Sequence, residues 1–373
     1  MTSTVYFTPV TEHTPMSEIQ AMSARLLDTL VQDEQIQLRP TVPLKVHFGE
    51  PKNVTFLGPE HYLGIIDYLK SHSIDSCFME TSVLYGGQRY KKELHEKTAE
   101  SHGFTQLPII FADGEAGEAY AEVEINKKHF KTFKVGRAFL GYDQIIVLSH
   151  FKGHILSGFG GAIKQLSMGF AAKGGKLAMH MGVKPHIKNR KCTQCRKCLE
   201  RCAEDALHIG DGKKEKSWID HDKCVGCGAC VAICPHKAVS LFTVKSLARF
   251  IGIGNPFVEK LVEGAYAAQK GKQHIYVSFA MRIAPGCDCE GRKMKPVMKD
   301  MGIFASTDPV AIDKACHDMA AARGKKFKAG PKTFSYAEAI GLGSGSYALV
   351  EIPSQGGDAS IAMSGQGAAS VKF

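Results

Sequence analysis

Two stretches of the chain are mainly apolar without strict alternation: YDQIIVLSHF, residues 142–151, and QHIYVSFAMRI, residues 273–283. Such runs predict strands covered on both faces, as in a parallel sheet. Shorter runs, KVHFG (45–49), NVTFLG (53–58), DSCFMET (75–81) and LPIIFAD (107–113), predict further strands. Between them GPEHYLGIIDYLKSHSI (58–74) and YKKELHEKTAESHGF (90–104) have helical periodicity, the second with Leu94 and Thr98 on one face. SLARFIGIGNPFVEKLVEGAYAAQKG (246–271) and DPVAIDKACHDMAAARG (308–324) read the same way. In the latter Pro309 falls in the first turn and Asp308 in the capping position. VEIN and HFKTFKV, between 123 and 135, suggest a polar hairpin at an edge. Strands alternating with helices of this length predict an α/β fold: a mostly parallel sheet with flanking helices.

The alternation breaks between 184 and 244. CTQCRKCLERC holds Cys192, Cys195, Cys198 and Cys202; CVGCGACVAICP holds Cys224, Cys227, Cys230 and Cys234. Each run is Cys-x2-Cys-x2-Cys-x3-Cys. Two-residue spacers let a short loop wrap one face of an iron–sulfur cube, and the fourth thiolate comes from the other run. One [4Fe-4S] cluster is thereby assigned to Cys192, Cys195, Cys198 and Cys234, and a second to Cys224, Cys227, Cys230 and Cys202. A zinc module, the competing reading, uses four ligands in two pairs and leaves the repeated triplets unexplained. EDALHIGDG follows the first run and HKAVSLFTV the second, each reading as a helix end and then a strand. The segment resembles the bacterial-type two-cluster ferredoxins. The expected organisation is an α/β domain in two parts, 1–183 and 245–353, interrupted by a small α+β dicluster ferredoxin domain at 184–244. Residues 354–373, rich in Gly, Ala and Ser and low in charge, are expected to form a flexible tail.

Composition changes this picture little. The 373 residues, 44% hydrophobic, suffice for two or three domains. Eight of the 12 cysteines are taken by metal-site spacing, which points to a reducing compartment and a cytoplasmic location. The formal charge of +10 is dispersed, and the chain has one tryptophan. An acidic redox partner protein or a small anionic ligand fits that charge, and no nucleic-acid role is called for. No apolar run reaches the roughly 18 residues of a membrane helix.

Candidate chemistry gathers at strand exits, where open α/β sheets collect ligands. After the first apolar run comes SHFKGHILSGFGGAIK. Lys152 and His154 stand at the exit, Gly158, Gly160 and Gly161 open a helix start suited to an anion, and Lys164 follows about a turn later. After the second run comes APGCDCEG. Cys287 and Cys289 lie one residue apart, and three readings stay open: ligands of an additional metal or cluster, redox-active thiols, or structural residues. A separate centre would need help from Asp288, Glu290, Cys77, Cys316 or a histidine. Glu80 and Thr81 end a third strand, and Arg89 could fix an anion through its planar fork.

The strand–KGH–SGFGGAIK arrangement, TSVLYGGQRYKKELHEKTAESHGF and CDC followed by GIFASTDPVAIDKA resemble the DUF362 family, iron–sulfur-associated proteins often carrying ferredoxin inserts. The resemblance covers most of residues 40–350. It implies that Thr81, Tyr85, Arg89, His95, Lys152, His154, Lys164, Asp308 and Asp313 converge on one pocket, with no settled reaction. GHILSGFGGAIK is also similar, more weakly, to a segment of the nickel-pincer lactate racemase family, which implies a small-acid site. Together these readings suggest single-electron transfer through two [4Fe-4S] clusters to or from a redox or metal site acting on a small anionic substrate. The alternative is a ferredoxin-like carrier or scaffold without chemistry of its own. No flavin signature is legible.

Overall fold

A computed structural model describes residues 2–180, 184–202, 204–224, 229–240, 256–353 and 360–364. The two apolar runs lie side by side. Ile275–Ala280 pairs in parallel with Ile146–His150, and the parallel array continues through Leu44–Lys45 and Phe78–Glu80 to Ile109–Phe111. On the other flank Gly302–Ser306 joins Ile275–Ala280 antiparallel, and Ser3–Pro9 joins Gly302–Ser306 antiparallel. Tyr347–Glu351 then adds in parallel and Ser360–Ser364 antiparallel, completing a nine-stranded, largely parallel sheet.

Successive residues of a strand face opposite sides. Val147, Tyr276 and Ala280 enter one apolar core, while Ile146, Leu148, Val277 and Phe279 enter the other. Neither run alternates because both its faces are covered. The first core takes the helices Ala162–Phe170, Phe257–Gln269, Pro309–Ala322 and Gly330–Ala339; the second takes Met16–Asp33 and Leu63–Ser71. The fold is α/β in three layers.

The expected strand over NVTFLG is instead a turn. Asn53 Oδ1 accepts from the backbone N–H of Thr55 (2.8 Å) and Phe56 (3.1 Å), which bends the chain away from any ladder. The hairpin expected near 123–135 forms from Tyr120–Glu124 and Thr132–Gly136. Ser360–Ser364, within the expected tail, forms the edge strand.

Asp308 caps Pro309–Ala322, accepting from Val310 N (2.8 Å) and Ala311 N (3.0 Å). Its other oxygen takes Ser3 Oγ (2.8 Å) and Ser344 N (2.7 Å), tying the cap to the first strand. Asp308→Ala is expected to lower stability by about 1–2 kcal/mol, read as an earlier urea midpoint with an unchanged slope. An unmoved midpoint would contradict the cap's contribution.

Within 184–240, His186–Ile187 pairs with Val239–Ser240 and Leu207–His208 with Trp218–Ile219, both antiparallel. These four short strands surround a separate apolar cluster containing Cys198, Ala206, Leu207, Ile219, Cys230 and Val239. Tyr120 OH donates to Glu204 (2.9 Å), and Arg201 lies 3.5 Å from Glu118, joining this segment to the hairpin. Among the described residues no helix is long and apolar enough to cross a membrane.

Candidate functional site

Parallel strands exit at the same edge of a sheet. The segments leaving Leu44–Lys45, Phe78–Glu80, Ile146–His150 and Ile275–Ala280 therefore meet there, bringing His47 and Glu50, Tyr85 and Arg89, Lys152 and His154, and Cys287 to Cys289 into one neighbourhood. Ligand atoms of His154, Cys287 and Cys289 all lie within 4.8 Å of one another. Lys164, on the helix Ala162–Phe170, donates to Cys287 Sγ at 3.1 Å. Cys289 N–H also approaches that sulfur, at 3.3 Å. A hydrogen bond with Cys289 holds Cys287 well below the ordinary thiol range, and the same bond pushes Cys289 well above it. Burial disfavours charge on Lys164, but the Cys287 thiolate and its neighbour Cys289 hold the proton on.

The loop between the thiols is anchored by a buried charge whose pairing sequence reasoning missed. Asp288, 2% exposed, lies 2.6 Å from Lys152 Nζ and 2.9 Å from His150 Nδ1. Burial alone would raise its carboxyl; His150 and Lys152 overcome that and hold it well below the usual carboxylate range. His150 Nε2 also faces Met281 O at 2.7 Å. On the far side Asn53 Nδ2 donates to the carbonyls of Cys287 (3.3 Å) and Glu290 (3.1 Å), and Glu50 N–H to that of Asp288 (3.0 Å).

Tyr85 and Arg89 close the neighbourhood. Tyr85 OH lies 2.8 Å from Glu50 Oε1 and 2.9 Å from Cys289 O. Arg89, 1% exposed, donates to Glu50 (2.7 Å) and to Tyr85 OH (2.8 Å). Burial opposes the guanidinium charge, and Tyr85 and Glu50 keep it. Burial and the Arg89 charge together push the His47 imidazole well below its ordinary range. His154 Nδ1 receives the N–H groups of Leu156 (3.2 Å) and Ser157 (3.0 Å) and lies 2.8 Å from Ser157 Oγ.

The anion expected at the glycine-opened helix start is supplied by the protein. Asp313 accepts from Ala162 N (2.6 Å) and Ile163 N (3.0 Å), filling the site read as open for a ligand. Gly158, Gly160 and Gly161 accordingly shape the hairpin Lys152–His154/Gly158–Gly160 and its junction with the helix. Gly158 adopts φ +79°, and a Cβ on Gly161 would sit 2.2 Å from Asp313 Oδ1. At Gly160 a Cβ would meet Lys164 Cδ at 3.2 Å.

Thr81 lies beside the neighbourhood, in a buried cationic layer. Its hydroxyl donates to Gly169 O (3.0 Å) and accepts from Lys176 Nζ (2.6 Å), while Glu80 pairs with the fully buried Lys45 at 2.8 Å. His95 is enclosed by Phe48 and Phe111, and neither ring nitrogen has a partner among the described residues. Asp308 does not join the others. Gly302–Ser306 runs antiparallel to Ile275–Ala280, so the cap that follows it sits at the opposite edge. Cys77 and Cys316 are buried in the first core, away from the thiol pair.

A second constellation lies between residues 187 and 239. One cavity is lined by Cys192, Cys195, Cys198 and Cys234, with Ile187, Ile209 and Pro235 among its walls. Cys202 Sγ receives Ala206 N–H at 3.4 Å, and Cys234 Sγ receives Ala238 N–H at 3.2 Å, the same offset in each half. Cys224 and Cys230 pack in the same apolar cluster; Cys227 lies outside the described residues. Tyr90 lies between this segment and Lys173 of the α/β body. Burial and the nearby Cys230 and Cys234 push its phenol up, and Lys173 Nζ stands 3.7 Å over its ring.

Residues 42–318 match the family described as Domain of unknown function (DUF362). The chain belongs to that family. Shorter segments are similar to characterised proteins. Over 50 residues the DUF362 chain is 46% identical to a component of the ion-translocating oxidoreductase complex of Methanosarcina acetivorans, covering 13% of this chain and 18% of that one. Over 42 residues it is 43% identical to a ferredoxin 7Fe of Hydrogenibacillus schlegelii, covering 11% and 50% respectively. These matches thus span half or less of each relative. Among solved structures, the lactate racemase apoprotein of Thermoanaerobacterium thermosaccharolyticum aligns over 85% of this chain and 57% of its own, at 12% identity and a TM-score of 0.41. A likeness that low carries no argument about fold or chemistry.

Proposed function

We propose that this DUF362 protein is an iron–sulfur electron-transfer protein whose α/β body serves a small anionic substrate. In this reading residues 184–244 form a dicluster ferredoxin domain. One [4Fe-4S] cluster is held by Cys192, Cys195, Cys198 and Cys234, the other by Cys202, Cys224, Cys227 and Cys230. The observation that carries it is the shared cavity. The first three cysteines of the first run line it together with the last cysteine of the second run, the crossed set that two-cluster ligation requires. Four sulfurs around one ion would sit about 3.8 Å apart given metal–sulfur bonds of about 2.3 Å. Among the described residues the thiols of this segment are not gathered that closely, whereas a cube binds one thiolate per iron and spreads them.

Clusters in those positions would supply electrons one at a time. The chain's own residues do the rest. Tyr90 and Lys173 bridge from Cys230 and Cys234 to the body. Lys152, Arg89 and Lys164 give the carboxyl edge its positive charge. Asp288 and Glu50 offset the first two, leaving Lys164 to balance the thiol pair and to attract an anion. The similarity of short segments to an oxidoreductase component and a ferredoxin supports a redox role with a protein partner.

Anaerobic titration with dithionite, followed by electron paramagnetic resonance, tests this reading. The loaded protein is expected to take up about two electrons per chain into two interacting four-iron centres. A chain that accepts none, or carries zinc on these cysteines, contradicts it.

A further inference from the structure

We propose that His154, Cys287 and Cys289 hold one divalent ion of the zinc type, with a fourth coordination position open to an anionic oxygen ligand. The proposal deepens the reading above and needs its anion-accepting edge, though not its clusters. Three ligand atoms within 4.8 Å of one another suit a single tetrahedral ion and are too close for a cube that spreads its thiolates. Two thiolates and an imidazole are borderline-soft donors of the kind zinc takes.

The surrounding groups support an open site. The other acids of the loop are already engaged: Asp288 by His150 and Lys152, Glu290 by the N–H of Cys287 at 2.9 Å and by Arg292 at 2.8 Å. The protein thus offers three donors among the described residues, the number at which catalytic zinc keeps a position for water or substrate. Two thiolates neutralise a divalent ion, and Lys164 Nζ then adds a positive charge beside Cys287 Sγ. An anionic oxygen, such as a carboxylate, matches that balance better than a neutral ligand does.

The loop is held ready for the ion. Lys164 and Cys289 N–H both reach Cys287 Sγ, Tyr85 OH fixes the carbonyl of Cys289, and Asn53 that of Cys287. Ser157 has a separate role at His154. Its hydroxyl donates to Phe159 O at 2.6 Å and its oxygen stands 2.8 Å from Nδ1, beside the backbone N–H groups of Leu156 and Ser157 that this nitrogen receives, so the ring is held in place from its Nδ1 side. Ser157 is thus a positioning residue that acts through His154.

The test adds zinc to the anaerobically cluster-loaded full chain, removes the excess by gel filtration, and records the zinc X-ray absorption edge. The expected result is about one zinc per chain, with two sulfurs at about 2.3 Å, one nitrogen at about 2.0–2.1 Å and one further light scatterer. Cys289→Ala is expected to lose the zinc or a sulfur scatterer while keeping its iron. Ser157→Ala, which leaves every ligand in place, is expected to weaken zinc binding about 10–100-fold. Zinc washed from the wild type with its iron intact, or held in an all-sulfur shell, overturns the proposal. Missing iron beside an intact zinc shell fails only the cluster reading.

Discussion

Asp288→Asn is expected to destabilise the protein by about 3–5 kcal/mol, the cost of leaving a buried charge without its partner. The replacement keeps the side chain's shape, so no cavity contributes. What is lost is the negative charge 2.6 Å from Lys152 and 2.9 Å from His150, at a position 2% exposed. Lys152, itself 7% exposed, would retain a hydrogen bond to His150 O at 3.0 Å but no carboxylate. Adding Lys152→Met removes the stranded cation and is expected to restore part of the loss, because a neutral buried amide costs less than an uncompensated buried charge. Urea denaturation of the two variants measures both effects. Equal losses in the single and double variants would mean that the ion pair is not what Asp288 contributes.

The same residue marks where the sequence was hard to read. Strands such as Ile146–His150 and Ile275–Ala280 were legible because burial on both faces writes a mainly apolar run that does not alternate. NVTFLG looked similar, yet the side chain of Asn53 captured Thr55 and Phe56 N–H and left Val54 43% exposed. A propensity count over six residues does not weigh one such side-chain bond. The CDC pair, Lys152, His154, Lys164 and Arg89 were singled out at or soon after strand exits and Tyr85 through the family resemblance, and the parallel sheet gathers those exits at one edge. Their counter-charges were not recognised as such. Asp288 meets His150 and Lys152, and Glu50 meets Arg89, only through the fold, and nothing local in the chain announces such pairing. The one available signal for Asp288 was its place between two cysteines already singled out.

The glycine-rich helix start was misread for a related reason. Free N–H groups there do call for an anion, but the partner proved to be Asp313, from a helix late in the chain. The same distance effect removed Asp308 from the expected pocket. Its capping role was legible locally, whereas the antiparallel direction of Gly302–Ser306 that carries it to the opposite edge was not.

The central claim is two clusters with crossed ligands, and counting iron in paired cysteine variants tests it most directly. Anaerobically reconstituted wild type is expected to hold about eight irons per chain, and Cys198→Ala or Cys234→Ala about four. These two residues line one cavity although they belong to different runs. The Cys198→Ala/Cys234→Ala double variant should therefore still keep about four, while Cys230→Ala/Cys234→Ala should keep about none. The reverse outcome, iron lost from the first double variant and half retained in the second, would assign each cluster to a single run and contradict the account.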